Sequence, residues 1–162
     1  KYLELAETKS LPRVASIQNA YNLVNRGFEI GLSEVAMHEQ VGLLAYSPLA
    51  QGTLTGKYLG GQMPQGSRLA LFGDGPLMMR YKGDKTQQAI EMYVNLAKKY
   101  EIDPAQLAIQ FCNIQPFVTS TIIGATTMEQ LKTCIDSVDL DITKEIINEI
   151  RSIHKEIPNP AP

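Results

Sequence analysis

The sequence contains few of the residues that build metal centres and disulfides, with two cysteines and two histidines among 162 residues. Cys112 and Cys134 form no CxxC pair and lie in stretches with helical patterning, so we expect two reduced thiols in a cytoplasmic protein. His38 and His154 are too far apart in sequence to form a metal motif, and we expect each on the surface of a helix. No metal site is predicted.

The sequence also lacks a strong charge imbalance and long apolar runs. Its formal net charge of -2 provides no concentrated positive field, which argues against nucleic acid and against a polybasic membrane role. The apolar runs are too short to span a bilayer, and no charged, apolar, small-residue leader opens the chain. A hydrophobic content of 44% suits one ordinary soluble globular domain.

What the sequence does contain is an alternation of strand-like and helix-like segments. Strand patterning covers residues 13–22, 41–47 and 119–123, and helical patterning covers residues 27–42, 84–102, 103–113, a segment opened by the capping box Thr126-x-x-Glu129, and residues 143–156. The run VGLLAYS is typical of a parallel strand covered on both faces. This order of elements predicts an α/β fold with a parallel sheet.

Apolar spacing predicts which helix faces are buried. The expected buried residues are Phe28, Leu32, Val35 and Ala36 in the first helix and Ile142, Ile146, Ile147, Ile150 and Ile153 in the last. The second helix is expected to carry Ala89, Tyr93, Leu96, Ala97 and Tyr100 on one side. Asp103 is expected to cap a further helix that has Pro104 as its first residue.

Residues 48 to about 83 form a long connection rich in glycine, proline and glutamine. A structureless connection of this length in a compact domain is usually a functional lid or binding loop. Its apolar residues are equally compatible with lining a ligand pocket and with packing on outer helices; they include Phe72, Leu77, Met78, Met79 and Tyr81.

Three parallel strands with two apolar edges make a poor independent fold. A (β/α)8 barrel typically needs about 250 residues, so we expect residues 1–162 to be a single-domain fragment forming the later part of such a barrel. The chain begins with Lys1 instead of methionine, which gives the expectation that a further segment precedes it.

Polar residues follow each predicted strand: Gln18 and Asn19, then Tyr46 and Ser47, then Gly124 and Thr126. In an α/β barrel the carboxyl ends of the strands open on one face, where ligands bind, so these groups are expected to converge. A glycine followed by a capped helix is a natural phosphate site. Together with the nearby cations Lys57 and Arg68, the pattern suggests a dinucleotide.

Each of these signals taken alone has a simpler explanation. The segment from Gly52 to Tyr58 is not a P-loop, because its glycine spacing is one residue short and Tyr58 replaces the magnesium-binding hydroxyl, so it reads as a plain turn. Thr126 and Glu129 can be a structural cap, and Tyr46 can be a core residue. Their placement on successive strand ends is what favours a site.

The segments SIQNAYNLVNR, LLAYSPLAQGTLTGKY and STIIGATTMEQLKT together resemble the C-terminal half of the aldo-keto reductase superfamily. Within it they are most similar to the bacterial Tas-type NADP(H)-dependent reductases, with potassium-channel β-subunits as more distant relatives. The resemblance implies the C-terminal part of a (β/α)8 TIM barrel, NADP(H) as cofactor, and reduction of small-molecule aldehydes and ketones to alcohols.

The resemblance also implies roles for individual residues. Gln18 would bind the nicotinamide carboxamide, and Tyr46 would stack on the nicotinamide ring. The pyrophosphate would be lined by Ser47, Pro48, Leu49, Ala50 and Gln51, the phosphates would be reached by Lys57 and Arg68, and the adenosine end would be held by Gly124, Thr126, Met128 and Gln130. Arg68 is the better candidate for the 2′-phosphate that distinguishes NADP from NAD.

Two features depart from the family pattern. Cys134 stands where the family usually has an asparagine at the adenine edge, and a thiol is a weaker hydrogen-bond partner, so we expect cofactor affinity to fall by about 1 kcal/mol. The catalytic Asp, Tyr, Lys and His of the family all lie in its N-terminal half, so this chain carries no catalytic residue. An NADP(H)-binding regulatory protein or an inactive fragment is the alternative to a reductase.

Overall fold

The computed structural model describes residues 1–73 and 75–162, without the side chain of Leu77, so the expectation for that side chain lies outside the described residues. The helices are α1 Tyr2–Thr8, α2 Leu32–His38, α3 Arg68–Phe72, α4 Pro76–Met79, α5 Asp84–Lys99, α6 Pro104–Asn113, α7 Met128–Asp136 and α8 Lys144–Glu156. The strands are β1 Ser16–Ala20, β2 Gly42–Tyr46 and β3 Val118–Thr121. Helix α1 has no counterpart in the sequence prediction.

In the described part of the chain, the strands form one parallel sheet in the order β1–β2–β3. This sheet with its flanking helices confirms the predicted α/β class and is consistent with the C-terminal part of an aldo-keto reductase barrel. A register shift lies opposite Leu43 and Leu44, where Thr119 is the extra residue of β3. A Cβ on Gly42 would lie 1.7 Å from Thr119 Oγ1, so glycine is required beside this bulge.

The two faces of the sheet differ in burial. Leu43 and Ala45 are fully buried in a core that includes residues of α5, α6 and α8. Leu44, on the opposite face, is only partly covered, and Tyr46 on that face is 39% exposed. The prediction that β2 is covered on both faces is therefore wrong for the described residues, which cover only one face.

The predicted helix over residues 27–42 is broken. Gly27–Glu29 is a short 3-10 turn, and Gly31 has φ of +83° before α2 begins. The break separates Phe28 from the face of α2. Phe28 and Ala36 are buried as predicted, whereas Leu32 and Val35 are 45% and 54% exposed, so their predicted burial is wrong.

Helices α5, α6 and α8 form where the sequence predicted them. Asp103 caps α6, since its carboxylate accepts the backbone N–H groups of Ala105 and Gln106 at 2.7 and 3.3 Å. Thr143 caps α8 by accepting the N–H of Ile146. The predicted faces of α5 and α8 supply buried core residues, namely Ala89, Tyr93, Leu96, Ala97, Ile146, Ile150 and Ile153. Tyr100, Ile142 and Ile147 are only partly buried, so the predicted burial of the two isoleucines is wrong.

The connection from residue 48 to residue 83 contains local helices and is not structureless, which corrects the prediction. Two 3-10 segments, Ala50–Thr55 and Leu59–Gly61, precede α3 and α4. Met78 and Tyr81 are buried, with Tyr81 in the core, while Phe72 and Met79 are 72% and 64% exposed. The buried pair therefore packs inward instead of lining an open surface.

Cys112 and Cys134 are both free, as predicted, and both are buried. His38 is exposed at the end of α2, whereas His154 is half-buried on α8. Within residues 1–73 and 75–162 no cluster of three potential metal ligands occurs. A search of the same residues found no helix with the length and hydropathy needed to cross a membrane.

Candidate functional site

The carboxyl edge of the sheet brings two of the predicted site residues onto one face. Gln18 pairs with Leu44, and Ala20 pairs with Tyr46, two residues further along each strand. Because side chains alternate along a strand, Gln18, Leu44 and Tyr46 lie on the same face. Gln18 is exposed and the Tyr46 ring is 39% exposed, so an amide and an aromatic face are both open to a ligand at this edge.

The loop that follows Tyr46 has an unusual backbone. Ser47, Ala50 and Gln51 have φ of +56°, +49° and +59°, and Gly52 follows with +89°. A residue other than glycine in this left-handed region costs on the order of 1–3 kcal/mol, and such residues cluster at functional sites. The Ser47 carbonyl accepts the Ala50 N–H at 2.9 Å, and the Gln51 amide donates to Ser47 Oγ at 3.2 Å.

Asn22 holds this loop against the end of β1. Its side chain is fully buried and donates from Nδ2 to the Ser47 carbonyl at 2.9 Å. Its Oδ1 accepts the N–H groups of Val24 and Asn25 at 3.0 and 2.9 Å. The sequence analysis assigned no role to Asn22, although an asparagine directly after a strand is a recognisable turn signal.

Lys57 lies folded back over the loop. Its Nζ is 5.2 Å from the centroid of the Tyr58 ring, a cation–π contact. A Cβ added to Gly52 would approach Lys57 Cε and Nζ to 3.0 Å, so the ammonium group lies directly against the loop backbone. Arg68 is exposed at the first position of α3, whose cap is Ser67.

The segment between β3 and α7 corrects the predicted cap. Thr127, and not Thr126, is the N-cap, because its Oγ1 accepts the Gln130 N–H at 3.2 Å. Gln130 Oε1 in turn accepts the N–H and the hydroxyl of Thr126, each at 3.0 Å. The return partner is thus Gln130 instead of Glu129. Gly124 is exposed, and a Cβ there would meet nothing within 4 Å.

The remaining predicted residues differ in accessibility. Pro48 and Ala50 are buried, Leu49 is half-buried, and Met128 is 77% exposed on α7. Cys134 is only 6% exposed, and burial raises the pKa of its thiol. The thiol therefore presents little surface to a ligand, and its contact with adenine stays a prediction.

A partly buried polar cluster supports the chain beyond β1. Arg26 donates from Nε and Nη2 to the two carboxylate oxygens of Glu29 at 2.7 and 2.8 Å, and the Tyr21 hydroxyl donates to Oε1 at 2.5 Å. Burial raises the pKa of Glu29, but these two hydrogen-bond partners outweigh it and leave the pKa below its usual value. The Arg26 guanidinium also lies 5.2 Å from the Phe111 ring centroid.

Comparison with known proteins gives one family match and several relatives. The model described as Aldo/keto reductase family matches residues 1–155. The chain is 50% identical over 162 residues to "Protein tas" of Escherichia coli K12, which covers 100% of this chain and 46% of that protein.

Two further relatives are more distant. An "Aldo-keto reductase" of Babesia bovis is 36% identical over 95% of this chain and 56% of its own length. A "Probable voltage-gated potassium channel subunit beta" of Oryza sativa subsp. japonica is 35% identical over 73% of this chain and 37% of its own. The chain therefore spans about half the length of the curated relatives it matches.

Proposed function

The chain belongs to the aldo/keto reductase family, and from that premise we propose that it is the cofactor-binding part of an NADP(H)-dependent oxidoreductase. The substrates of the longer protein are small-molecule aldehydes and ketones, which it reduces to alcohols. The observation that carries the proposal is the exposed Tyr46 ring at the carboxyl end of β2, followed at once by a loop of left-handed residues.

The residues at this edge fit a nicotinamide dinucleotide. Bound NADPH would supply the hydride that reduces the carbonyl carbon. Tyr46 offers a flat aromatic face on which the nicotinamide ring can stack, so that its opposite face points to the substrate. Gln18 lies on the same face of the sheet and carries both a donor and an acceptor for the carboxamide.

The phosphates are assigned to the loop and its two cations. The left-handed turns at Ser47, Ala50 and Gln51 set a fixed backbone path beside which a pyrophosphate can lie. Pro48 and Leu49 complete this loop. Lys57 supplies a positive charge against the loop, and the exposed Arg68 guanidinium suits the 2′-phosphate of NADP.

The adenosine end is assigned to the segment before and within α7. Gly124 leaves open space for close approach, and Thr126 and Gln130 form a linked polar pair next to it. Met128 is well exposed and offers an apolar contact, while Cys134 is the predicted neighbour of the adenine edge.

We further propose that residues 1–162 are the C-terminal half of a barrel whose N-terminal half is the partner of this chain and carries the catalytic Asp, Tyr, Lys and His. Apolar side chains are exposed on both flanks of the described sheet and fit such a partner: Leu32, Val35 and Met37 on α2, and Ile135 on α7. Alone, the chain is expected to be inactive. The two free thiols accord with a cytoplasmic location.

A second candidate is an NADP(H)-binding regulatory protein with little turnover. It is favoured by the similarity, over 73% of this chain, to the Oryza sativa protein named as a probable potassium channel subunit. The two candidates share the cofactor site and differ in whether a carbonyl is reduced.

The test uses the full-length protein and measures NADPH fluorescence, first on binding and then during incubation with 4-nitrobenzaldehyde or methylglyoxal. The reductase predicts binding followed by NADPH consumption that depends on the carbonyl compound. Binding without consumption on any carbonyl favours the regulatory protein, and absence of binding contradicts both.

A further inference from the structure

Tyr58 contacts one of the two cations that the proposed function assigns to the phosphates, and the residue that follows the other. The residue is only 7% exposed, so its ring is fixed within the loop. On one side the Lys57 ammonium group is 5.2 Å from the ring centroid. The partly exposed Lys57 side chain thus lies against both this ring and Gly52.

The hydroxyl of Tyr58 contacts a different segment of the chain. It accepts the backbone N–H of Leu69 at 3.4 Å, across eleven residues of sequence. Leu69 directly follows Arg68, and both belong to the first turn of α3. The only side-chain cap of this helix is Ser67, which accepts the Ala70 N–H at 3.3 Å within the described residues.

We propose that Tyr58 is a positioning residue that sets the preference of the site for NADPH over NADH. The inference rests on the proposed function and adds a residue to which the sequence comparison gave no role. Through its hydroxyl, Tyr58 holds the start of α3 so that the Arg68 guanidinium stays where a 2′-phosphate can reach it.

Because α3 is short, the hydrogen bond between Tyr58 and Leu69 contributes a large share of what keeps this helix in place. A helix of five residues is too short to be stable without support from its surroundings. If the segment leaves its position part of the time, the apparent affinity for a ligand of Arg68 falls in proportion to the fraction that remains in place. NADH has no 2′-phosphate, so its affinity does not depend on that fraction.

The experiment compares Tyr58→Phe with the wild type in the full-length protein, by titrating NADPH and NADH separately. The substitution removes the hydroxyl and keeps the ring over which Lys57 lies. Because a neutral hydrogen bond is worth about 0.5–1.5 kcal/mol, NADPH affinity is expected to fall roughly threefold to tenfold, with NADH affinity unchanged. In an Arg68→Ala background, the same substitution should have no further effect.

Tyr100→Phe is the matched control, since the Tyr100 hydroxyl donates to Glu149 on α8, a helix with no proposed ligand contact. It should leave the affinities for both dinucleotides unchanged. The melting temperature of each variant is measured as well. A positioning role for Tyr58 predicts that Tyr58→Phe lowers NADPH affinity without lowering the melting temperature more than Tyr100→Phe does.

The inference is overturned if Tyr58→Phe leaves NADPH affinity unchanged, weakens both dinucleotides alike, or weakens NADPH equally with and without Arg68. If the wild type binds NADPH more tightly than NADH and Tyr58→Phe gives any of these three outcomes, the inference fails and the proposed function stands. If the wild type binds neither dinucleotide, the proposed function fails and the inference falls with it.

Discussion

The clearest consequence of the site geometry concerns Asn22, whose side chain joins the end of β1 to the loop after β2. Replacing it with alanine removes three hydrogen bonds, to the backbone groups of Val24, Asn25 and Ser47. The Asn25 N–H and the Ser47 carbonyl keep other partners, the carbonyl of residue 22 at 3.1 Å and the Ala50 N–H at 2.9 Å. The Val24 N–H keeps no partner among the described residues.

The expected cost follows from these partners. Leaving the buried Val24 N–H unsatisfied costs about 1–3 kcal/mol, and each of the other two hydrogen bonds is worth about 0.5–1.5 kcal/mol. Since those two groups retain partners, their losses belong at the low end of that range. We therefore expect Asn22→Ala to lower the free energy of unfolding by about 2–4 kcal/mol.

The same change should also loosen the loop at Ser47 and weaken NADPH binding. The measurements are urea unfolding and NADPH titration of the full-length protein. Asn148→Ala is the control, because Asn148 is an exposed residue of α8, and its loss should change stability by no more than about 0.5 kcal/mol. An Asn22→Ala variant as stable as this control would contradict the structural role given to Asn22.

Two other perturbations test neighbouring parts of the structure. Glu29 has a pKa below its usual value in the folded chain, so its contribution to stability is present above the usual carboxyl pKa and is lost as the pH falls through the lowered value. Urea unfolding across acidic pH should therefore show a weaker pH dependence for Glu29→Gln than for wild type, and parallel curves would contradict this. Gly52→Ala should displace Lys57 and weaken NADPH binding, whereas Gly60→Ala, also at positive φ but with nothing within 4 Å of its Cβ, should cost only backbone strain of about 1 kcal/mol. Equal NADPH affinities for the two alanine variants would contradict the proposed contact between Lys57 and the phosphates of NADPH.

The sequence was sufficient for features that depend on local patterns. Asp103 and Pro104 indicate the start of α6 within two residues of sequence, and the predicted Asp103 cap is present. The three strands were recognisable from β-branched and apolar runs. The family resemblance rested on segments of ten or more residues, and the family match covers residues 1–155.

The wrong predictions concern positions where two neighbouring residues could serve equally well as a helix cap, or where the conformation depends on residues distant in sequence. Thr126 and Thr127 are both plausible caps, and a shift of one residue cannot be read from composition. The burial of Leu32 and Val35 was inferred from a continuous helix, but Gly31 interrupts it. The left-handed residues at Ser47, Ala50 and Gln51 are not glycines, so sequence gives no sign of them.

The Ser47 end of this loop is held by a contact from elsewhere in the chain. Asn22 reaches Ser47 across 25 residues of sequence. The contact between Tyr58 and Leu69 is similarly invisible to local patterns. The types of residue in the candidate site could therefore be predicted, whereas the side chains that position them required the folded structure.

In the proposed site, a nicotinamide dinucleotide would bind with its ring against Tyr46. Titration of NADPH into the full-length protein and its Tyr46→Ala variant tests it most directly. We expect saturable binding to the wild type and an affinity roughly fivefold to 150-fold lower for the variant, because the substitution removes about 1–3 kcal/mol of stacking and apolar contact. Equal affinities, or no binding to the wild type, would contradict it.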